Sequence, residues 1–236
     1  MSTPTVFNGW EQVTQQNVGR EGFNLEPTQD FMPGFGPMAG YAVTLVIQLS
    51  RRPDDYNPDA MFDYLKYLAS VPTPTIAVVQ DLDKPQCYGS AWGEVFATIH
   101  RAFGCVGTIT DGGVRDIDEM AKVGFKVISR HLCVGHGAGG IVDFNCPLEV
   151  FGRKIVPGQF IHADKHGFLA IPPGDENRLF EAAQHMDASE CETYISTARD
   201  AVGKTKEEII ASLRATGEDF EDLIRKLSNG HGRGEW

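Results

Sequence analysis

The chain has 236 residues, of which 42% are hydrophobic and 22% charged, and its formal net charge is −11. That length allows one sizeable core, and the acidic balance argues against a nucleic-acid partner, which calls for a basic face. The strongest apolar run, Ala42 to Ile47, is far too short to span a membrane, and Met1 to Thr5 lacks the basic and apolar regions of an export signal. Five widely spaced cysteines with no Cys-x-x-Cys point to free thiols in a reduced, cytoplasmic protein.

In chain order, residues 1–40 carry little pattern, and Pro27, Pro33, Gly34, Gly36, Pro37 and Gly40 mark loop. A short helix is expected within Trp10 to Val18, closed by Gly19 and Gly22. Tyr41 to Gln48 is β-branched and apolar, a buried strand. Arg51 to Pro58 reads as polar loop. Ala60 to Ser70 reads as helix, with Met61, Tyr64, Leu65 and Leu68 on one face. Thr75 to Val79 is a strand and Asp81 to Gly89 a loop. A helix from Trp92 to Phe103 and a strand from Cys105 to Thr110 follow.

Beyond a glycine-rich turn at Asp111 to Asp116 come a short helix, Ile117 to Val123, and a strand, Lys126 to Ser129. Leu132 to Gly140 is glycine-rich loop. Five short strands between Ile141 and Ile171 then suggest a compact β-meander. The chain is helical from Asn177 to about Ala201. A capping box at Thr205 and Glu208 opens a last amphipathic helix, with Gly217 as a candidate break and Asn229 and Gly230 at its end. No repeat or low-complexity linker is visible. The expected division is an N-terminal extension (1–30), an α/β domain (31–200) and a C-terminal helical extension (201–236).

Several motifs compete for a functional role. Gly135, Gly137 and Gly140 match G-x-G-x-x-G, but the residues after them read as strand, whereas a dinucleotide loop opens a helix. His131, Cys133 and His136 have no fourth ligand at a zinc-site spacing. His162 and His166, four apart, fall in a β-region and do not turn back on each other. Cys105 reads as core filler, and Cys87 as a loop thiol with no activating base nearby.

The remaining candidate is the stretch from Gly93 to Asp116. It places Glu94 at a helix start and Arg115 and Asp116 in the turn after the next strand, so both loops can meet at one sheet edge. Two carboxylates and a guanidinium suit a divalent cation and an anionic substrate. Gly93 opens a helix whose free amides can hold a carboxylate, and Gly112 and Gly113 let backbone approach a ligand. Structural roles compete: Glu94 favours the helix dipole, Asp116 can cap its own helix, and Arg115 can be a surface ion-pair partner.

The run Gly93, Glu94, Val95, Phe96, Ala97, Gly104, Gly107, Asp111, Gly112, Val114, Arg115, Asp116 resembles the RraA-like family. That family has an acidic residue, twenty residues, then Arg-Asp. Gly40 to Thr44, Pro147 to Val150, Val156 to Gly158, Ala163 and Asp164 through Gly167, and Ile171 with Pro172 extend the likeness over roughly residues 10–200. The acidic residue is often Asp in the family and is Glu94 here.

The resemblance implies an α/β fold, a three-layer β/β/α domain of the swivelling type with C-terminal helices. It implies a homotrimer or dimer of trimers with sites between subunits, and Mg2+ or Mn2+ as cofactor. The activity it implies is class II aldol cleavage of a 4-hydroxy-2-oxo diacid to pyruvate, with oxaloacetate decarboxylation on the same site. In that reading Asp116 holds the metal and Glu94 its water shell. Gly93, Val95, Phe96 and Arg115 receive the substrate, and Arg115 faces the developing enolate. A neighbouring subunit's Glu190 or Glu192 serves as base. The family also contains non-catalytic regulators that bind and inhibit an RNA-processing enzyme, a second reading that the acidic surface fits.

Overall fold

The computed structural model describes residues 1–18, 21–52 and 57–230, with side chains to 225. The polar loop expected at Arg51 to Pro58 and the tail from His231 fall wholly or partly outside these residues. Among them are ten strands and seven α-helices.

The centre is a run of four parallel strands: β2 (Met38–Gln48), β3 (Thr75–Asp81), β4 (Cys105–Val114) and β5 (Lys126–Leu132). Helices α2 (Ala60–Ser70), α3 (Glu94–Ala102) and α4 (Ile117–Lys122) make the crossovers. Parallel neighbours need such connections, and the helices they carry cover the sheet. Strand alternation divides the core into two. Val43, Leu45 and Ile47 of β2 and Ala77 and Val79 of β3 meet Tyr64, Leu68, Ala97 and Met120 of the helices. Ala42 and Val46 of β2 and Ile76 and Val78 of β3 face the other way, onto Val150, Phe151, Ile155, Ile161 and Phe168.

That second face is covered by β-structure: a hairpin of β7 (Leu148–Val150) and β8 (Arg153–Ile155), and the pair β9 (Phe160–Asp164) and β10 (Gly167–Ile171). The layers are therefore helix, sheet and β, as expected. The late strands are not a separate meander, however. β6 (Gly140–Phe144) and β9 both pair antiparallel with β2, whose eleven residues leave one edge long enough for two short strands. The order is β1-β5-β4-β3-β2-β9-β10, where β1 is Gln29–Asp30. Phe23, just before β1, bridges Leu169 of β10, so the sheet curls into a nearly closed, barrel-like surface.

By contacts the chain forms two compact units, Met1–Thr3 with Asn17–Pro173, and Pro4–Gln16 with Gly174–Trp236. The second contains most of α1 (Thr3–Glu11), α5 (Glu176–Glu190), a π-turn (Cys191–Ile195), α6 (Ser196–Arg199) and α7 (Lys206–Gly230). The first helix lies earlier than Trp10 to Val18. Pro4 is tolerated in a first turn, where its missing N–H is not needed. Trp10 is fully buried and donates from Nε1 to Asp175 Oδ2 at 2.9 Å. The capping box is formed: Thr205 N donates to Glu208 Oε2 at 2.8 Å and Glu208 N to Thr205 Oγ1 at 3.3 Å. Gly217 does not break α7. A Cβ there would lie 3.1 Å from the Tyr194 hydroxyl, so the glycine admits a close neighbour.

Candidate functional site

Strand β4 runs four residues beyond its expected end. Asp111, Gly112, Gly113 and Val114 are buried strand rather than turn. Asp111 is tolerated inside because its carboxylate is fully used: Oδ1 accepts from Asp81 N at 2.8 Å and Oδ2 from Lys84 Nζ at 2.5 Å. The two glycines also find partners other than a ligand. A Cβ on Gly112 would lie 2.7 Å from Asp81 Oδ2, and one on Gly113 would lie 2.6 Å from Cys87 Sγ and 3.2 Å from Cys133 Sγ. They admit side chains of this chain close against the strand. Burial raises the Asp81 carboxyl to about 6.

The longer strand delivers Arg115 and Asp116 directly to the start of α3. Asp116 has φ 57° and ψ 41°, a left-handed backbone that costs a non-glycine residue on the order of 1 kcal/mol. It occupies the N-cap position of α4, yet its side chain makes no cap hydrogen bond. Oδ2 instead accepts from Glu94 N at 3.3 Å, twenty-two residues away. The capping role is thus not what the carboxylate does. A Cβ on Gly93 would fall 2.6 Å from the same oxygen, so glycine is required for this approach.

Arg115 Nε stands 3.7 Å from Asp116 Oδ2, and Nη1 donates to Val134 O at 3.5 Å. Both contacts are long, and the side chain is 36% exposed. The guanidinium is held loosely and keeps donors free. Glu94 is exposed in the first turn of α3, where the helix-dipole role also suits it.

Two clefts meet at this pair. One, of about 370 Å3, is lined by Gly93, Glu94, Val95, Phe96, Arg115 and Asp116, with an apolar wall of Met61, Phe62, Leu65 and Ile99. The other, of about 600 Å3, has Arg115 and Asp116 on one side and Leu132, Cys133 and Val134 on the other. The amides of Val95 and Phe96 are first-turn donors without intrahelical acceptors, and both residues line the first cleft. Gly93, Glu94, Val95, Phe96, Arg115 and Asp116 are therefore together. Glu190 belongs to the second unit, where it accepts from Asn8 Nδ2 at 2.9 Å.

Sequence reasoning passed over the apolar wall and weighed His136 only as a metal ligand, whereas it lines the first cleft from the glycine-rich loop. The helical spacing of Met61 and Leu65 suggested only a core face. In fact Met61 is 40% and Phe62 63% exposed, and that exposure has no sequence signature. His131, Cys133 and His136 do not form a metal cluster, and among the described residues no group of three or more His, Cys, Asp or Glu does. His162 meets the Thr3 hydroxyl at 3.0 Å and His166 meets Asp164, both structural contacts.

The family model "RraA-like: Aldolase/RraA" matches residues 3–170, and the chain belongs to that family. A protein named "Putative 4-hydroxy-4-methyl-2-oxoglutarate aldolase" from Halalkalibacterium halodurans is 27% identical over 108 residues, 45% of this chain and 51% of its own length. One of the same name from Burkholderia mallei is 38% identical over 68 residues, 28% of this chain and 41% of its own. Protein DlpA of Legionella pneumophila is 26% identical over 122 residues, 51% of this chain and 20% of its own. The matched stretches thus span about half or less of these relatives.

Among solved structures, an uncharacterized protein from Pseudomonas syringae superposes with a TM-score of 0.67 at 20% identity, covering 89% of both chains. RraAS2 of Streptomyces coelicolor, described as an unusual member of the RNase ES inhibitor RraA family, gives 0.62 at 17% identity over 84% of this chain and 91% of its own. These likenesses carry the fold. No described helix is long and apolar enough to cross a membrane.

Proposed function

We propose that the protein is a divalent-metal-dependent lyase that releases pyruvate from a 4-hydroxy-2-oxo acid by retro-aldol cleavage and also decarboxylates oxaloacetate. The observation that carries this reading is the Asp116 carboxylate. It is turned off its own helix, at a left-handed backbone, toward the start of α3, with Arg115 beside it. The relatives named as aldolases support the reading at low identity.

One or two partly exposed carboxylates are hard oxygen donors too few to cage an ion, which fits Mg2+ or Mn2+ retaining most of its water. Asp116 would hold it, with Glu94 supporting its water shell. The ion supplies Lewis acidity at the 2-oxo acid. The chain's own groups do the rest. The Val95 and Phe96 amides receive the substrate carboxylate, helped by the helix dipole. Arg115 donates toward the 2-oxo oxygen, where charge builds as the carbon–carbon bond breaks, and so favours the transition state over the substrate.

A lactate-dehydrogenase-coupled assay of pyruvate release tests this. Arg115→Ala and Asp116→Asn are each expected to lose about two to three orders of magnitude in rate. Asparagine keeps the left-handed backbone and removes only the charge. Activity absent with every divalent metal, or unchanged in both variants, would overturn the reading.

Aldol cleavage further needs a base for the 4-hydroxyl, and Glu190 of a neighbouring copy is proposed for it. Decarboxylation needs none. Glu190→Gln should therefore abolish cleavage of the 4-hydroxy substrate yet keep oxaloacetate decarboxylation. Equal loss of both would remove Glu190 from that role.

A further inference from the structure

Cys133, on the wall of the second cleft, has a neighbour that the proposed reaction does not use. Cys87, in the loop between β3 and α3, is exposed, while Cys133, just past β5, is half-buried. Forty-six residues apart in sequence, they sit side by side in space. A Cβ on Gly113 would meet both sulfurs, Cys87 Sγ at 2.6 Å and Cys133 Sγ at 3.2 Å, while Cys87 Sγ donates to Gly89 O at 3.6 Å and Cys133 Sγ to Gly135 O at 3.4 Å. Their loops are already joined without a covalent link. Ser90 N donates to Gly135 O at 2.9 Å, Gly89 lies directly against the Gly137 backbone, and Cys133 N donates to Val114 O at 2.9 Å. Both sulfurs thus lie against the same residue, and proximity is the usual obstacle to a disulfide.

The other thiols are differently placed. Cys105 is fully buried in β4, where its Sγ points to Gly107 O at 3.3 Å. The Cys146 thiol neighbours Asp143, and Cys191 is exposed on the second unit. Exposure also divides the roles within the pair. Burial is the main cause that pushes the Cys133 thiol up to about 12, with the neighbouring Cys87 adding to it, while the nearby Arg115 guanidinium pulls it down. Burial thus makes Cys133 the less reactive thiol, and the exposed Cys87 is the one that meets a co-reactant first.

We propose that Cys87 and Cys133 are a reversible oxidation site that takes a low-molecular-weight disulfide as its co-reactant. The Cys87 thiolate attacks one sulfur of glutathione disulfide, forming a mixed disulfide and releasing one glutathione thiol. Cys133 then gives up its proton and attacks Cys87 Sγ. The second glutathione leaves as a thiol, and the Cys87–Cys133 bond forms. Two protein thiols lose two electrons and two protons, and one glutathione disulfide becomes two glutathiones. The bridge pins the segment that carries Val134 O, an acceptor of Arg115, to the loop that leads into Gly93. The proposal stands apart from the aldolase reading, since its readout is covalent.

The full chain, incubated with excess glutathione disulfide, is quenched with N-ethylmaleimide and measured by intact mass and peptide mapping. The wild-type protein is expected to lose two alkylatable thiols, carry no glutathione, and yield one linked peptide pair spanning Cys87 and Cys133 that dithiothreitol releases. Cys133→Ser should retain one glutathione on Cys87. Cys87→Ser should react at Cys133 at least about tenfold more slowly, because a shielded thiol that stays protonated is a poor nucleophile. A wild-type protein that stays fully alkylatable, or keeps glutathione on Cys87 unresolved, overturns the proposal. So does linkage through any other cysteine. If a variant does not fold, the wild-type peptide map alone decides.

Discussion

His100 shows how a single side chain sets a pH limit on the fold. It is fully buried on α3, with Nε2 at 2.8 Å from the Tyr64 hydroxyl and Nδ1 at 2.7 Å from Phe96 O. A carbonyl only accepts, so Nδ1 carries the proton and Nε2 accepts from Tyr64. Burial lowers its pKa to about 4, and burial lowers that of His162 likewise to about 4. As pH falls below the ordinary histidine value near 6.5, the unfolded chain takes up these protons first, so stability declines between about 6.5 and 4. Asp81, raised to about 6, works the other way and offsets part of this loss. At pH 5 His100 alone should cost about 2 kcal/mol relative to pH 7. Urea unfolding of the wild-type protein and His100→Gln at both pH values measures it; an equal pH dependence in the two would refute the assignment. At this scale the sequence was most legible where chemistry follows residue type, as in the Glu94, Arg115 and Asp116 set. It was silent on direction. Nothing in the sequence says that the Asp116 carboxylate turns away from its own helix, because that depends on Gly93 arriving from another element.

Elements were legible where one face is apolar and both ends are punctuated. Helix α2 has the bounds its spacing predicts, and the capping box opens α7. The error at β4 has a physical cause. Asp, Gly and Gly read as turn, yet here the acid is neutralised by Lys84 and the glycines admit neighbours. A similar concealed pair holds the sheet edge. Lys126 Nζ of β5 lies 2.6 Å from Asp30 Oδ2 of β1 and 3.2 Å from Met32 O, with both side chains almost wholly buried. Removing one partner leaves a buried charge unmatched, so Asp30→Leu or Lys126→Met should destabilise by about 3–5 kcal/mol. The double change to Asp30→Leu with Lys126→Met should recover most of that. Denaturant midpoints of the four proteins form the cycle, and additive losses would show that the pair is not coupled.

For the whole molecule, the proposed reaction needs more than one chain, since the base is assigned to a neighbour. The protein is expected to run as a trimer or a dimer of trimers in light scattering; a monomer at working concentration would remove the shared-site model. The expectation of an assembly rests on the resemblance alone, because a subunit interface leaves no periodicity of its own. The doubly covered sheet has a further consequence. Where one face of a strand meets water, slipping a strand by one residue exposes its apolar set, and hydrophobicity alone fixes the register. Strands β2 to β5 are largely buried on both faces, so that penalty is weak. Alignment must come from groups that fit in one position only. Thr108 Oγ1 donates to Ala77 O at 2.9 Å, Ser129 Oγ to Gly112 O at 3.0 Å, and Gly107 is the one residue that the Lys126 backbone and the Met38 sulfur leave room for. The scattered polar and small residues of the core thus act as its alignment pins, specifying which of several equally greasy pairings the chain adopts.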